Sequence, residues 1–296
     1  MIMKIVVTGS LGHIGRQLTE TLTAKGHSVT VISRDPDRQQ DIEAIGARAA
    51  IGSLHDVNFL TQAFTGADAV YCMIPPNFAA PDQVAYYRST AGNYVQAIRQ
   101  AGVPHVVHLS SYGAHLAQGT GPITGSYHAE QLMNGLEGVS VTHMRPGYFY
   151  YNLYTVIGMI KAAGFIGANY GGNDRLVLAD PADIATTAAE ELTAPQAGKQ
   201  VRYIASDDRT CSEVAAVLGA AIGIPGLQWI TMTNEEHQRG LEAAGVPAPM
   251  AANLTELGAA NHSGILREDY DRHPPVLGKV KIEDFAKEFA VAFNKA

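Results

Sequence analysis

Residues 4–34 read K-I-V-V-T-G-S-L-G-H-I-G-R-Q-L-T-E-T-L-T-A-K-G-H-S-V-T-V-I-S-R. The apolar run 5–7 is too short for an amphipathic helix, so it predicts a strand buried on both faces, as at the centre of a parallel sheet. Gly9, Gly12 and Gly15 follow directly, and the pattern then predicts a helix over 13–24 and a second strand over 28–32. A G-x-x-G-x-x-G turn between a strand and a helix is typical of a dinucleotide-binding site.

Each glycine has a role in such a turn. The first lets the chain turn sharply, the second admits a pyrophosphate against bare backbone, and the third lets helix and strand pack closely. The amides at the helix N-terminus then face the phosphate. We therefore predict cofactor contacts along the whole turn, from Gly9, Ser10, Leu11, Gly12, His13, Ile14 and Gly15. The alternative is a tightly packed turn that binds no phosphate.

The tip of the second strand distinguishes the two nicotinamide cofactors. NAD sites place a carboxylate here for the ribose 2′-hydroxyl, whereas NADP sites place an arginine for the 2′-phosphate. Ser33 and Arg34 occupy the tip, Asp35 comes next, and Arg38 lies one helical turn further on. A guanidinium can hold a phosphate with paired hydrogen bonds, so these residues predict NADP(H). The alternative is a solvated loop arginine.

Strands and helices continue to alternate along the chain. The pattern predicts strands over 47–51, 69–74, 104–109 and 139–144, with helices between them. Such alternation implies parallel pairing through right-handed crossovers, so we predict an α/β fold with a doubly wound parallel sheet. Ligands bind such sheets at the carboxyl ends of the strands. We therefore expect two residues beside the adenine and two beside the nicotinamide half of the cofactor, respectively Ser53 with Leu54 and Ile74 with Pro75.

The composition is that of an ordinary globular chain. Its 296 residues suffice for one large or two modest domains, and no apolar stretch reaches the about 18 residues of a membrane span. The first strand begins within a few residues of the N-terminus, which leaves no space for a signal peptide, so we expect a cytoplasmic protein without membrane contact. Cys72 and Cys211 are the only cysteines, and they suggest neither a disulfide framework nor a cysteine metal site.

Charge and histidine content argue against two further classes of protein. The net charge is −7, from 28 acidic and 21 basic residues without a basic stripe, which disfavours direct nucleic-acid binding. Five histidines crowd one region without a recognised ligand spacing, so we expect packing or surface roles and no metal for His105, His108, His115, His128 and His143.

Five motifs, taken in order, resemble the NmrA-like group of atypical short-chain dehydrogenases/reductases. They are T-G-S-L-G-H-I-G at 8–15, S-R at 33–34, V-V-H-L-S-S at 106–111, M-R-P-G-Y-F-Y-Y-N at 144–152 and L-V-L-A-D-P-A-D-I-A at 176–185. The likeness covers roughly residues 3–205. It implies a Rossmann-like domain with a smaller C-terminal α/β lobe, in a group that includes NADPH-dependent quinone and dye reductases and cofactor-sensing regulators. We expect an NADP-binding domain over 1–148 and 175–206, and a substrate or lid lobe over 149–174 and 207–296.

The resemblance also implies a mechanism, from which this chain departs. The superfamily uses Tyr-x-x-x-Lys, in which lysine lowers the pKa of tyrosine so that the phenol passes a proton during hydride transfer. Here Tyr127 is followed four residues later by Gln131, and an uncharged amide cannot lower a phenol pKa by Coulomb attraction. Tyr127 and Ser111, at the end of the fifth strand, are the candidate catalytic residues. A quinone suits such a site, because its reduced oxygen needs little help from an acid.

Aromatic residues are dense after the sixth strand. We predict that Tyr148, Phe149 and Asn152 line an apolar slot for a flat acceptor. The alternative is that the aromatic side chains in 148–154 seat the following helix on the sheet. The glycine-rich stretch 164–174 predicts a mobile loop or lid.

Two functions of different classes follow. The first is an NADP(H)-dependent oxidoreductase that transfers hydride to a small, electron-poor, aromatic acceptor, by orientation instead of strong acid catalysis. The second is a non-catalytic regulatory protein that senses NADP(H) and passes the result to a protein partner. The missing lysine favours the second function, and the aromatic slot favours the first. A sugar-nucleotide epimerase or dehydratase is disfavoured because the Tyr-Lys pair is absent.

Overall fold

The computed structural model describes residues 1–77 and 79–296, and the chain divides into two compact units. The first unit contains Met1–Ala114, Gly125–Arg145 and Ile184–Arg202. The second unit contains His115–Thr124, Pro146–Asp183 and Tyr203–Ala296. Both units are therefore built from separated stretches of sequence.

A seven-stranded sheet forms the centre of the first unit. Its strands, in spatial order, are β10 (Lys199–Ile204), β6 (Ser140–Pro146), β5 (His105–Leu109), β4 (Ala69–Met73), β1 (Lys4–Val7), β2 (Ser28–Ser33) and β3 (Arg48–Ile51). The pairs β1–β2, β2–β3, β1–β4, β4–β5 and β5–β6 are parallel. The order reverses at β1, between β2 and β4, which confirms the predicted Rossmann-like doubly wound sheet.

Helices alternate with these strands. They are α1 (His13–Ala24), α2 (Gln39–Ala44), α3 (Val57–Phe64), α4 (Gln83–Ala101) and α5 (Ile123–Asn134), and α7 (Pro181–Thr193) precedes β10. Local sequence fixes several helix ends: Asp56 caps α3 by accepting the Phe59 amide, and Gly102 ends α4 in the left-handed conformation. The core between α3, α4 and the sheet includes fully buried Phe64 and Tyr94. Burying such a side chain contributes about 1.5–3 kcal/mol.

The second unit has two small sheets. One contains β11 (Asp207–Thr210), β9 (Arg175–Ala179) and β7 (Tyr148–Phe149), and the other pairs β12 (Trp229–Thr231) with β8 (Ile166–Ala168). The α-helices of this unit are α6 (Ile157–Ala163), α8 (Cys211–Ala221), α9 (Asn234–Ala243), α10 (Ala248–His262) and α11 (Ile282–Lys295). A 3₁₀ segment, Tyr150–Val156, packs against α11 in the core of the unit.

The structure divides the chain differently from the sequence-based domain limits. Residues 175–183 belong to the second unit, because β9 pairs with β7 and β11 and has no place in the seven-stranded sheet. Residues 115–124, which include the first two residues of α5, belong there too. The predicted loop at 164–174 contains β8, which pairs in parallel with β12 over Ile166–Ala168. The three-residue strand has glycine at its centre and no apolar alternation, so the sequence carried no strand signal.

Both cysteines lie in the cores of their units. Cys72 is in β4 and Cys211 begins α8, and each is fully buried. Burial raises the pKa of both thiols far above the ordinary value for cysteine. Among the helices of the described residues, none combines the length and apolarity needed to cross a bilayer.

Candidate functional site

The glycine turn after β1 depends on glycine at two of its three positions. Gly9 has φ +95°, and a Cβ there would lie 2.6 Å from Cγ of Met73. A Cβ at Gly15 would collide with the Ser10 carbonyl oxygen. Gly12 is different, because its Cβ would meet only the Gly9 carbonyl oxygen, at 3.5 Å. Gly9 and Gly15 are thus needed for the fold itself, whereas the space beside Gly12 is open to a ligand.

Hydrogen bonds fix this turn against the neighbouring strands. The Ser10 amide donates to the Ile32 carbonyl at 3.1 Å, and the Ser10 hydroxyl donates to the Ser33 hydroxyl at 3.1 Å. Ser10 adopts φ +55°, which is uncommon for a residue with a side chain. Gly12 caps α1, whose first amides have no partner within the helix. The arrangement presents amide donors to an anion at the carboxyl end of β1.

A cleft of about 360 Å³ opens beside the turn. It is lined by residues of the first unit only: Gly9, Ser10, Ile32, Ser33, Arg34, Gly52, Ser53, Leu54, His55, Pro75, Pro76, Asn77 and Tyr86. These residues lie at or just beyond the carboxyl ends of β1, β2, β3 and β4, except Tyr86, which lies on α4. The cleft therefore lies at the switch point where nucleotides bind doubly wound sheets.

The predicted cofactor residues fall into two groups. Those that line the cleft are Gly9, Ser10, Ser33, Arg34, Ser53, Leu54 and Pro75. Those that do not are Leu11, Gly12, His13, Ile14, Gly15, Arg38 and Ile74. Gly12 and His13 are exposed at the start of α1, while Ile14, Gly15 and Ile74 are buried in packing roles. The cofactor roles of both groups stay predictions.

The two arginines after β2 have different surroundings. Arg34 is exposed and lines the cleft, with no hydrogen bond or ion pair to the described residues. Arg38 pairs with Asp41 at 3.3 Å and lies 3.9 Å from a carboxylate oxygen of Asp35. The Asp35 carboxylate also caps the following 3₁₀ turn by accepting the Asp37 amide. The structure thus brings Arg34 to the cleft and leaves Arg38 in an exposed charge cluster beside it.

Six residues that line the cleft are not among the predicted cofactor contacts, namely Ile32, Gly52, His55, Pro76, Asn77 and Tyr86. His55 is exposed, and its ring meets the ring of Tyr86 edge-on, with centroids 6.2 Å apart. The Tyr86 hydroxyl donates to the Pro75 carbonyl at 2.9 Å. Burial raises the pKa of Tyr86, and the nearby positive charge of Arg34 opposes that rise. Asn77 also lines the cleft. His55 could have been predicted as a lining residue, because it lies in the loop after β3, whereas nothing in the sequence indicates that Tyr86, on a helix, faces the cleft.

The carboxyl ends of β5 and β6 carry a buried network. Glu130 on α5 receives two hydrogen bonds from Arg145, from Nε at 2.9 Å and from a terminal nitrogen at 2.6 Å. The Ser110 hydroxyl donates to the same carboxylate at 2.5 Å. Glu130 and Arg145 are 2% and 7% exposed. Ser110 is therefore committed to the network, which leaves Ser111 as the partly exposed hydroxyl at this strand end.

The predicted catalytic residues lie in the first unit. Ser111 is partly exposed, and its hydroxyl donates to the Tyr112 carbonyl at 3.2 Å. Tyr127 lies on α5, partly exposed, with its ring against that of His128 at 5.3 Å between centroids. Gln131, one turn after Tyr127, is exposed. Because Gln131 carries an uncharged amide, this position supplies no positive charge in place of the superfamily lysine.

Two of the clustered histidines form a buried pair. His108 and His143 face each other across β5 and β6, with their Nδ1 atoms 3.0 Å apart, and Nε2 of His143 lies 3.0 Å from the Asn134 side-chain oxygen. Burial lowers the pKa of each to about 3, with further lowering from His143 on His108 and from Arg145 and Lys199 on His143. Both rings are therefore neutral packing elements at pH 7.

The aromatic segment belongs to the second unit. Tyr150 is fully buried and donates to Asp207 at 3.2 Å, and Tyr154 packs on Phe285 at 5.2 Å between centroids. These two rings pack against α11, whereas the packing alternative had placed them against the helix that follows them in the chain. Tyr148 and Phe149 form β7, and Asn152 lies in the 3₁₀ segment, all partly exposed. The substrate role predicted for the last three stays a prediction.

Comparison with known proteins identifies the class of protein. Residues 9–152 match the NAD(P)H-binding family. This stretch contains the glycine turn and every residue that lines the cleft. It is an NAD(P)H-binding domain, in agreement with the predicted likeness to NmrA-like short-chain dehydrogenases/reductases.

The likeness to known NAD(P)H-dependent reductases extends over the whole chain. An NAD(P)H azoreductase from Xenophilus azovorans is 28% identical over 99% of this chain and 100% of its own. Two solved structures share the fold. An NADPH-dependent quinone oxidoreductase from Escherichia coli superposes with a TM-score of 0.75 and 21% identity, over 96% of this chain and 98% of its own. A triphenylmethane reductase from Citrobacter superposes with a TM-score of 0.78 and 20% identity, over 97% of this chain and 99% of its own. Both have also been crystallised with NADPH or NADP(H). The predicted class, an NAD(P)H-dependent oxidoreductase, is confirmed.

Proposed function

We propose that this oxidoreductase uses NADPH to reduce a small, electron-poor, aromatic acceptor such as a quinone or an azo dye. The observation that carries the proposal is the cleft at the glycine turn, where the Arg34 guanidinium has no ion pair with the described residues. Among the described residues that line the cleft, none is a carboxylate that would repel a 2′-phosphate. The acceptor class is supported by the azo, quinone and triphenylmethane chemistry in the names of the relatives.

The residues at the cleft suit the adenosine and pyrophosphate parts of this cofactor. The amides at the start of α1 and the turn from Gly9 to Gly12 would hold the pyrophosphate. Arg34 would hold the 2′-phosphate with charge-assisted hydrogen bonds. When bound, NADPH supplies a hydride. The residues of the chain orient the cofactor so that the hydride is transferred to the bound acceptor.

The acceptor class also fits the absence of a lysine four residues after Tyr127. Reduction of a quinone adds one hydride and one proton, and the hydroquinone oxygens need little acid assistance. Gln131 in the lysine position is exposed and uncharged, so Tyr127 has no cation from that residue to activate it as an acid. Ser111 and Tyr127 are proposed as groups that orient the acceptor by hydrogen bonds. The proton can then come from water.

The test is NADPH oxidation by the purified chain with a panel of quinones, azo dyes and simple ketones. We expect turnover with the quinones and dyes and little with the ketones, and lower kcat/KM with NADH than with NADPH. Turnover of ketones alone would contradict the acceptor class. Tight NADPH binding with no turnover of any acceptor would support the regulatory alternative, which none of the relatives reported above favours. The predicted cytoplasmic location stays a prediction.

A further inference from the structure

Three basic side chains lie at or near the adenosine end of the cleft, and they differ in availability. Arg34 and His55 line the cleft, and neither side chain has a hydrogen-bond or ion-pair partner among the described residues. Arg38 does not line it and is engaged by Asp35 and Asp41. A cation that already has carboxylate partners must give them up before it can bind an anionic ligand.

We propose that His55, with Arg34, contacts the 2′-phosphate of NADP(H), in the role predicted for Arg38 from sequence spacing. The inference rests on the proposed function, since it takes NADP(H) as the ligand of the cleft. His55 is then a residue that determines the choice between NADPH and NADH. An imidazole N–H can donate to a phosphate oxygen, and a protonated ring adds positive charge.

The backbone around His55 is held in place before any ligand arrives. The His55 amide donates to the Ser53 hydroxyl at 3.1 Å, and the Asp56 amide donates to the Ser53 carbonyl at 3.1 Å. The Asn93 side chain on α4 donates to the Leu54 carbonyl at 3.1 Å. This loop therefore presents His55 at a defined position, which lowers the conformational entropy lost on binding.

The sheet brings the two basic residues to the same edge. Ser33 pairs with Ile51 at the ends of β2 and β3, and the Gly52 amide donates to the Ser33 carbonyl at 2.9 Å. Arg34 follows the first strand end directly, and His55 lies four residues beyond the second. Tyr86 lies beside both residues, since its ring meets the His55 ring edge-on and the positive charge of Arg34 acts to lower the pKa of its hydroxyl.

The charge of the cleft supports an anionic ligand at this place. The described lining residues include one guanidinium and one imidazole but no carboxylate. The neighbouring acid Asp35 is turned to the Asp37 amide and towards Arg38. A 2′-phosphate would thus meet two donors without a repelling charge in the lining, whereas the 2′-hydroxyl of NADH would gain little from either.

The experiment compares 2′,5′-ADP with 5′-AMP as probes, titrated into the full chain by calorimetry. The variants are His55→Phe, which keeps an aromatic ring but removes the donors, His55→Arg, which restores donors and charge, and Arg38→Gln, which tests the competing assignment made from sequence spacing. We expect His55→Phe to weaken 2′,5′-ADP about three- to tenfold and to leave 5′-AMP unchanged. His55→Arg should regain most of the loss, and Arg38→Gln should stay within about twofold of wild type.

Other outcomes overturn the proposal in distinguishable ways. An equal loss of both probes in His55→Phe would mean that the ring contacts adenine or the shared phosphate. A selective loss of 2′,5′-ADP in Arg38→Gln, with His55→Phe unchanged, would return the role to Arg38. A wild-type chain that binds 2′,5′-ADP no better than 5′-AMP would reject the NADP(H) preference of the proposed function itself. Thermal unfolding of each variant shows that the fold is retained.

Discussion

Arg34 and Arg145 stand at the carboxyl ends of two strands in the same sheet, and their surroundings are opposite. Arg34, after β2, is exposed beside a cleft and makes no ion pair with the described residues. Arg145, in β6, is 7% exposed and holds Glu130 with two hydrogen bonds. An unpaired cation in a cleft is available to an anionic ligand, whereas a buried, paired cation is already neutralised. The position after β2 is thus suited to binding an anion, whereas Arg145 in β6 serves the packing of the sheet.

Substitution at the buried end should have the largest effect. Glu130→Gln leaves the Arg145 guanidinium buried without its counter-charge, and we expect the free energy of unfolding to fall by about 3–5 kcal/mol. The matched control is Glu20→Gln, which breaks the exposed Arg16–Glu20 pair of α1 and should cost less than about 1 kcal/mol. Urea unfolding of both variants measures the difference. Equal losses would mean that the buried pair is no more important than a surface pair.

At the open end, substitution should change binding and leave stability alone. Arg34→Ala removes a charge-assisted clasp, so we expect NADPH affinity to fall by about 2 kcal/mol, roughly thirtyfold. NADH affinity should be unchanged, because NADH has no 2′-phosphate. Titration with both cofactors measures this, and urea unfolding should give the wild-type free energy. A variant that loses NADPH and NADH equally would place Arg34 elsewhere on the cofactor.

Acid should act on the buried end through the histidine pair. His108 and His143 have pKa values lowered to about 3 in the folded chain, below the unperturbed value of about 6.5. The unfolded chain therefore binds more protons as the pH falls below about 6.5, and each histidine should reduce the free energy of unfolding by about 1.4 kcal/mol per pH unit. Above that pH both histidines are neutral in the folded and the unfolded chain, so this loss of stability is absent. His105, whose pKa burial also lowers, acts in the same direction.

Chemical unfolding at several pH values from 7 down to about 4 measures this slope. His143→Gln removes one titrating group and should reduce the slope by about 1.4 kcal/mol per pH unit. An unchanged slope in that variant would assign the acid sensitivity to other groups.

The smallest effect is expected on the partly exposed side of α5. Tyr127 lies one turn before Glu130 but makes no hydrogen bond to the described residues through its hydroxyl. If orientation dominates quinone reduction, Tyr127→Phe should reduce kcat less than tenfold, well below the about hundredfold or more of general acid catalysis. Steady-state kinetics with a quinone measures it. A loss beyond a hundredfold would make the phenol a working acid and would reopen ordinary ketones as substrates.

The sequence predicted the fold well because the signals are local. The run 5–7, the three glycines and the helix after them specify a strand, turn and helix without help from distant residues, and the structure has β1, the turn and α1 at those places. Asp56 and Asp82 likewise cap the predicted helices. The strand β8 was missed because its three residues become a strand only by pairing with β12, some sixty positions later.

The candidate site was predictable only in part, for the same reason. Arg34 is next to a strand end, so its place follows from the topology. Arg38 was assigned by helical spacing, which cannot show that Asp41 lies within 3.3 Å. Glu130 and Arg145 are fifteen residues apart, and nothing in their spacing indicates a buried pair. Tyr150 and Tyr154 lie in the same aromatic stretch as the predicted slot residues, and only their contacts with α11 reveal core packing.

The burial of both thiols has a consequence for durability. Quinones are electrophiles that add to thiolates, and a cysteine with a raised pKa and no solvent access offers neither a thiolate nor a path to one. The two thiols of the folded chain should therefore resist alkylation by a quinone acceptor during prolonged exposure. The same property makes Cys72 a reporter for opening of the first unit and Cys211 one for the second, because each reacts with a thiol reagent only when its core opens.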